Sequence, residues 1–488
     1  MALKRDVDYS NHSTRMTEEP VHSPAPPTLA EALPVAAPPP RPDRADKLAF
    51  ALAALPALCV YLATLPPEVT LGFAGIDATA AYYGSASGPP GYPVWSLYSW
   101  VFVKLLPFSN IAWRVTVGSA VAGALACGIV AMLISFMANV LLKGAPLTQK
   151  LSRREWQKLR VISGVAASLV LGFNGTFWSC SVIAEPWGFA WMLFAGTLWF
   201  LTRAALVPPG RAGIWIAFLF FGMMHTGNQE LLIALPGFVL LLMASDVRLG
   251  RDLALFFLPL AFVLTLPTGW NELDGFESVR ENWPMAAAFA AVFVTGVVAA
   301  IVTRGLGGQW KSTLVASLGL VAGMAFYLYL PLAGMTTPPV QWGYPRTVEG
   351  FLHLISRGQY ERAHATGSFG RYAEQLWNFF WNTGDWFGWL YLGIALVGAV
   401  MLARAGRRSL RWLIGLAAVW VCTGPLLLAM LNPSPDRQSH GRTAVFLVPT
   451  LMLLAVLMGF GLVTIGAWVA RWGKEPEPAA PPPKCASS

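Results

Sequence analysis

Long apolar stretches recur along almost the whole chain, and they constrain the fold more than any other feature. Two examples are 161–173 (VISGVAASLVLGF) and 444–469 (AVFLVPTLMLLAVLMGFGLVTIGAWV). A stretch of about 20 apolar residues matches the roughly 30 Å hydrocarbon core of a bilayer. Only 12% of the residues are charged, whereas soluble domains carry about 25%. The sequence therefore predicts an all-α integral membrane protein and excludes a soluble globular one.

The apolar segments predict about 12 transmembrane helices, with 11 to 13 as the range. The segment 94–106 (VWSLYSWVFVKLL) is the thirteenth candidate, but it is short, contains Lys104 and lies between two prolines. The predicted spans are 48–65, 115–142, 161–178, 187–202, 212–224, 231–243, 253–267, 285–302, 314–332, 386–402, 412–430 and 444–470.

The basic residues predict the orientation of these spans, because cytoplasmic loops are enriched in Lys and Arg. If 94–106 does not cross the membrane, the two sides carry about +13 and about −4, which together give the net charge of +9. If it crosses, the basic loop 143–160 faces outward. We therefore expect both termini to be cytoplasmic and 94–106 to be an amphipathic helix in the membrane interface.

Three regions follow from composition. Residues 1–47 and 471–488 are polar and Pro-rich, so we expect disordered cytoplasmic tails. Residues 48–470 form the transmembrane domain. The five cysteines show no metal or disulfide spacing, and the spread of the basic residues gives no support to a nucleic-acid partner.

Two carboxylates are candidates for catalysis. Asp77 lies in the first outer loop among small and aromatic residues, where partial burial would raise its pKa. Glu185 lies close to membrane depth in 179–189 (SCSVIAEPWGF), where ionisable groups are costly and tend to be functional or paired. The alternatives are a solvated loop carboxylate for Asp77 and a favourable helix-start carboxylate for Glu185.

The connector 225–230 (HTGNQE) joins two short spans, so we expect it to lie below the membrane surface in a protein-lined cavity. Its polar side chains either bind sugar hydroxyls or form an interhelical hydrogen-bond cluster, and the sequence leaves both open. They are His225, Asn228, Gln229 and Glu230.

The long outer loop 333–385 contains apolar residues at helical spacing within 348–355, which predicts an amphipathic helix along the outer surface. Arginine pairs bidentately with phosphate, so outer arginines are candidate anion binders, with surface or lipid-headgroup roles as the alternative. The principal candidates are Arg346, Arg357, Arg437 and Arg442.

Five segments together resemble a known family. They are 79–93 (TAAYYGSASGPPGYP), 183–189 (IAEPWGF), 223–232 (MMHTGNQELL), 327–334 (YLYLPLAG) and 341–360 (QWGYPRTVEGFLHLISRGQY). The chain is similar to the bacterial multi-span family of protein O-mannosyltransferase-like proteins in the GT-C glycosyltransferase superfamily. The resemblance covers about residues 48–470.

The resemblance implies a GT-C-like fold and a glycosyltransferase of the bacterial inner membrane, active on the non-cytoplasmic side. Its implied partners are a polyprenyl-phosphate sugar donor, with mannose as the first candidate sugar, a hydroxyl acceptor on a protein, lipid or glycan, and the membrane lipids. No cofactor is certain, and metal dependence stays open. We expect Asp77 and Glu185 to be catalytic. The expected substrate-binding residues are His225, Asn228, Glu230, Tyr92, Trp342, Arg346, Tyr360, Arg437 and Arg442.

Two departures from the family pattern keep alternatives open. The family's first outer loop commonly has a Gly-Asp-Ser-Gly-Glu-like stretch, of which only Asp77 remains here, and Gly88 stands where the family has His. A catalytically inactive relative that binds a lipid-linked sugar is one alternative. A lipid-linked sugar flippase is the other, although the inner halves of the spans carry few ionisable residues and no internal repeat is evident.

Overall fold

The computed structural model describes residues 41–70, 72–206, 211–269, 282–360 and 364–472. Most of both predicted tails and of the acidic segment 271–282 lies outside these ranges. Every regular element in the described residues is helical, as the sequence predicts. The helices of the first half are α1 (Arg44–Ala63), α2 (Ala74–Tyr83), α3 (Pro93–Leu105), α4 (Ile111–Leu141), α5 (Arg153–Gly172), α6 (Gly175–Ser181), α7 (Trp187–Leu206), α8 (Arg211–His225), α9 (Ala234–Ser245), α10 (Val247–Asp252) and α11 (Leu258–Gly269).

The second half continues in the same way, and several of its spans contain short 3₁₀ or π segments. Its helices are α12 (Trp283–Thr303), α13 (Trp310–Met324), α14 (Tyr329–Gly334), α15 (Val348–Ile355), α16 (Phe369–Phe387), α17 (Trp389–Arg404), α18 (Arg407–Val421), α19 (Leu427–Leu431), α20 (Arg437–Ala444) and α21 (Val448–Trp472).

Eight helices in the described residues are long and apolar enough to cross a membrane, or up to ten if each of two bent pairs is one span. Two shorter apolar helices, Ala212–His225 and Gln229–Ser245, coincide with the two short predicted spans. The prediction of a multi-span helical membrane protein is thus confirmed. A count of twelve spans and a GT-C fold stay predictions.

Two predicted spans are differently shaped. The segment 161–178 is broken, because α5 ends at Gly172 and α6 begins after an Asn174 cap, with a bend of 75° between them. The Asn174 side chain accepts hydrogen bonds from the Thr176 and Phe177 amides and starts the new helix. The second case is the predicted span 386–402, which corresponds to α17. This helix meets α16, most of which lies in the predicted loop 333–385, at an angle of 102°.

The helix α4 lies at the centre of the bundle, and most of its residues are buried. It packs against α1, α5 and α7. Gly123 and Gly128 of α4 face Ser181 and Phe50 at distances that leave no room for a larger residue. Small residues at helix interfaces allow this close packing in membrane proteins.

One end of this bundle is closed by three connections. The Trp178 indole donates to the Thr64 hydroxyl at 3.1 Å, and the Asn110 amide donates to the Pro67 carbonyl at 2.7 Å. The Ser119 hydroxyl reaches the Glu185 carbonyl at 3.4 Å. The C-terminal end of α1 and the N-terminal ends of α4 and α7 therefore meet where the candidate site lies.

The other end contains a buried charged cluster. Arg160 of α5, 1% exposed, pairs with Asp46 of α1 at 2.5 Å and also with Asp43. The Ser135 hydroxyl of α4 donates to Asp46 at 2.7 Å. Asp43 and Asp46 also cap the start of α1, which begins at Arg44, four residues before the predicted span. The cluster therefore ties three helices together.

Candidate functional site

Asp77 is buried on the inner face of α2, with 3% of its surface exposed. Its Oδ1 accepts a hydrogen bond from the Ser87 hydroxyl, in the turn that follows α2. Gly84 ends α2 in the left-handed conformation, and its carbonyl accepts from the Tyr329 hydroxyl at 2.6 Å. The turn is thus held against α14 by the bond from Tyr329, and against α2 by the bond from Ser87 to Asp77.

The pKa of Asp77 is raised to about 7. Burial is the largest cause, because it removes water from the charged form. The hydrogen bond from Ser87 lowers the pKa, and the negative charge of Glu185 raises it. A carboxylate with a pKa near neutrality can both take and release a proton at ordinary pH.

Glu185 approaches Asp77 from the segment between α6 and α7. Burial raises its pKa, and a side-chain hydrogen bond with Trp187 opposes that shift. A Cβ atom added at Gly72, whose φ is +86°, would stand 3.2 Å from Glu185 Oε1. Asp77 of α2 and Glu185 lie within electrostatic reach of each other, because the Glu185 charge raises the pKa of Asp77.

The turn at 88–93 (GPPGYP) is packed under α15. Gly91 has a φ of +98°, and a Cβ there would lie 2.8 Å from a Leu330 methyl group, so only glycine fits. The predicted helix within 348–355 is confirmed as α15, and its Leu354 and Ile355 are buried in one apolar cluster with Ala86. Trp342 packs, half-buried, against the same cluster.

The connector 225–230 is largely buried, as the sequence predicts. Gln229 donates hydrogen bonds to the Tyr327 hydroxyl at 2.9 Å and to the Ile355 carbonyl at 2.7 Å. The Tyr327 hydroxyl donates to the His225 carbonyl at 3.2 Å. The interhelical hydrogen-bond cluster that was one alternative is therefore present, and Gln229 is its centre.

Glu230 forms an ion pair with Arg357, which follows α15. Arg357 has a φ of +58°, and one of its terminal nitrogens, Nη2, lies 3.4 Å from the Gly227 carbonyl. Both partners are largely buried, with 13% of the Glu230 side chain and 23% of the Arg357 side chain exposed. The pair locks the connector to the segment after α15.

Tyr92 is influenced both by Asp77 and by the Glu230–Arg357 ion pair. It adopts a φ of +43° before α3, a conformation that is uncommon outside glycine and clusters at functional sites. Burial raises the pKa of Tyr92, the Arg357 charge lowers it, and the charges of Glu230 and Asp77 raise it. Its side chain therefore lies within the field of the ion pair and of Asp77 together.

Three of the remaining predicted residues, Tyr360, Arg346 and Arg442, are exposed. Tyr360 is 48% exposed but still contributes to the field at Tyr92. Arg346 is exposed, with its guanidinium 5.9 Å from the centre of the Tyr344 ring. Arg437 begins α20, and its side chain is outside what the structure describes.

Arg442 is exposed on α20, four residues before Phe446. The Phe446 ring meets Trp187 edge to face at 4.8 Å, and Trp187 is the hydrogen-bond partner of Glu185. The chain around Arg442 therefore approaches the Glu185 side of the site. Among the described residues, no group of three His, Cys, Asp or Glu side chains has an arrangement suited to a metal ion.

Two comparisons with known proteins find a similarity to the same protein O-mannosyl-transferase. Residues 78–250 match the family model described as the protein O-mannosyl-transferase TMEM260 N-terminal domain. Over 143 residues the chain is 29% identical to protein O-mannosyl-transferase TMEM260 of Mus musculus. This matched region is 29% of this chain and 17% of the length of that relative. No solved structure matches the chain. The similarities support a relation to an O-mannosyltransferase-like family.

The matched region includes Glu185 and Glu230 and begins one residue after Asp77. Two contacts of this site, Ser87 with Asp77 and Arg357 with Glu230, were not predicted from the sequence. Ser87 belongs to the quoted 79–93 segment, where its position ten residues after Asp77 gave no sign of contact. Arg357 was predicted only as an anion binder, and the structure shows it paired with Glu230.

Proposed function

We propose that this protein is a membrane glycosyltransferase. It transfers a sugar, with mannose as the first candidate, from a polyprenyl-phosphate donor to a hydroxyl acceptor. The observation that carries the proposal is the buried Asp77, with a pKa of about 7, beside Glu185 and Tyr92. The similarity of residues 78–250 to an O-mannosyltransferase family points to the same class of reaction.

In the proposed reaction, Asp77 is the general base. The acceptor hydroxyl binds at its Oδ2, since Oδ1 already accepts from Ser87. The hydroxyl oxygen forms a bond to the anomeric carbon, and the bond from that carbon to the phosphate oxygen breaks. Its electron pair leaves with the polyprenyl phosphate, and the acceptor proton passes to Asp77.

Glu185 supplies the second carboxylate that the first loop lacks. Its negative charge helps to keep the pKa of Asp77 near 7, so that the base is neither permanently charged nor permanently protonated. In this role Glu185 acts through Asp77 or on the acceptor. This arrangement favours an active transferase over an inactive sugar-binding relative.

The donor phosphate needs a cation that is not already neutralised. Glu230 compensates Arg357, so we assign Arg357 to holding the connector and Tyr92 in place. Arg442 and Arg437 of α20 are the proposed phosphate ligands, because α20 leads into Phe446 beside Trp187. Five further residues are proposed to line the substrate path: the buried His225 and Asn228, the half-buried Trp342, and the exposed Arg346 and Tyr360.

The distribution of basic residues supports a location of the proposed site on the non-cytoplasmic side. Asp77, Glu185 and the connector 225–230 all occur at helix ends opposite the basic loops, one of which is 143–160. With this orientation both termini face the cytoplasm. A bacterial inner membrane is the proposed location.

The proposal is tested with the Asp77→Asn variant. Transfer of labelled mannose from polyprenyl-phosphate mannose into membrane extracts should fall by about 100-fold or more, because general-base catalysis is lost. Glu374→Gln changes an exposed carboxylate on α16 in the same way and should leave transfer unchanged. Wild-type transfer by Asp77→Asn, at equal protein abundance, would remove Asp77 from the mechanism.

A further inference from the structure

An open groove of about 760 Å³ lies on the face of α2 that points away from Asp77. Asp77 and Ala81 belong to the buried face of this helix, whereas Thr79 and Tyr82 line the groove. The start of α4 forms the opposite wall with Ile111. The volume falls in the range of about 300–1,000 Å³ that is typical of small-molecule sites.

Two tyrosines give the groove an aromatic surface. Tyr82 is 41% exposed and Tyr83 is 49% exposed, and their ring centres lie 4.9 Å apart at an angle of 89°. Neighbouring rings at right angles present surfaces in two directions. Such rings pack against the C–H faces of pyranose sugars, while their hydroxyls remain available for hydrogen bonds.

The charge of the groove argues against an anionic ligand. Its described lining residues include one carboxylate, Glu68, and no lysine or arginine. Glu68 is exposed. The Lys104 ammonium, which does not line the groove, lies 5.7 Å from the centres of both the Tyr82 and Trp100 rings. A phosphate group would meet a carboxylate here, whereas sugar hydroxyls would donate to it.

The groove is also close to the Glu185 side of the candidate site. Val69 lines the groove and faces Gly75 of α2, where an added Cβ would lie 3.5 Å from a Val69 methyl group. Gly72 follows Val69 by three positions in the sequence, and it faces Glu185. The segment that carries Val69 and Gly72 is thus shared between the groove and the site.

We propose that this groove binds a neutral carbohydrate. Tyr82 and Tyr83 stack on its C–H faces, and the oxygens of Glu68 and Thr79 accept hydrogen bonds from its hydroxyls. The source is either a free glycan or the headgroup of a neutral glycolipid. Binding here requires no transfer reaction, so the proposal stands apart from the proposed function.

The test uses the full chain in detergent micelles and a panel of neutral disaccharides: mannobiose, maltose and cellobiose. Titration calorimetry measures affinity, and saturation-transfer NMR identifies the sugar protons in contact with protein. Tyr83→Ala should weaken binding about tenfold, because it removes an aromatic surface. Tyr83→Phe should retain the contact, and binding should stay close to wild type.

Phe108→Ala is the matched control, since Phe108 is 57% exposed and does not line the groove. It should leave affinity unchanged. The two sources are compared with vesicles of phosphatidylcholine with and without monoglucosyl diacylglycerol. Binding of the disaccharides indicates a glycan ligand, and binding of only the glucosylated vesicles indicates a glycolipid headgroup.

Three outcomes overturn the proposal. The first is equal sugar affinity of Tyr83→Ala and wild type, and the second is equal binding of both vesicle types without disaccharide binding. The third is Tyr83-dependent binding of a neutral Ser/Thr-rich peptide without sugar binding. Thermal unfolding of Tyr83→Ala shows whether it is folded. The Asp77→Asn variant should bind sugar normally. Loss of transfer and loss of groove binding are therefore separate results.

Discussion

The Ser87 hydroxyl donates a hydrogen bond to Oδ1 of Asp77, and it opposes the two effects that raise the pKa of this carboxyl group. Burial and the charge of Glu185 favour the protonated form, whereas the Ser87 bond favours the charged form. The balance places the pKa at about 7. Two neighbours therefore tune one proposed base in opposite directions.

Glu185→Gln should lower the pKa of Asp77, because it removes a neighbouring negative charge. A general base must be deprotonated, so kcat/KM of the wild type should rise as pH passes through about 7. In Glu185→Gln this rise should occur at lower pH. The measurement is a pH profile of kcat/KM for sugar transfer, and an unshifted rise would show that Glu185 does not act on Asp77.

Ser87→Ala should have the opposite effect. Loss of the hydrogen bond to the charged form raises the pKa of Asp77, so the rise in kcat/KM should move to higher pH. The same pH profile measures this shift. Ser85→Ala is the control, because the Ser85 hydroxyl makes no hydrogen bond to Asp77 among the described residues. Shifts of Ser87→Ala and Glu185→Gln in the same direction would contradict the proposed balance.

Gly72→Ala should disturb the position of Glu185. The added Cβ would lie 3.2 Å from Glu185 Oε1, and a φ of +86° also strains alanine by about 1 kcal/mol. Gly144→Ala is matched for strain, with a φ of +89°, but its Cβ meets nothing within 4 Å. Both variants should lower Tm similarly, and only Gly72→Ala should change the pH profile of transfer. Identical profiles would exclude a functional contact between Gly72 and Glu185.

Much of the helical architecture could be predicted, because an apolar span is a local signal of composition and length. The bend at Asn174 could not, since an apolar stretch continues through it and the break depends on one capping side chain. The helix α16 was also missed. Polar residues such as Glu374 and Asn378 recur at short intervals among its aromatic residues, so the sequence shows no continuous apolar run there.

The site was predictable residue by residue but not as an arrangement. Asp77 and Glu185 stand out in the sequence because carboxylates are rare in apolar surroundings. Their proximity depends on how α2 and α7 both pack against α4, which a local sequence pattern does not predict. The same holds for Glu230 and Arg357, whose ion pair joins positions 127 residues apart.

Arg160→Met should destabilise the protein without affecting the site. It leaves the Asp46 carboxylate buried without its cation, and such losses cost about 3–5 kcal/mol. Thermal unfolding in detergent measures the effect, and Arg153→Met on the exposed side of α5 is the control. The double variant Arg160→Met, Asp46→Leu should recover much of the loss. A wild-type Tm for Arg160→Met would show that the cluster contributes little.

The Glu230–Arg357 pair should be coupled in a double-mutant cycle. Arg357→Met leaves a largely buried carboxylate, and Glu230→Gln leaves a largely buried guanidinium, so each should lower kcat/KM at least about tenfold. If the pair serves mainly to place Tyr92 and the connector, the double variant should be less impaired than the sum of the two free-energy losses predicts. Arg371→Met, which removes an exposed arginine of α16, provides the reference for a simple loss of surface charge. Strictly additive losses would mean that Arg357 acts on substrate independently of Glu230, and the phosphate would then be reassigned from α20 to Arg357.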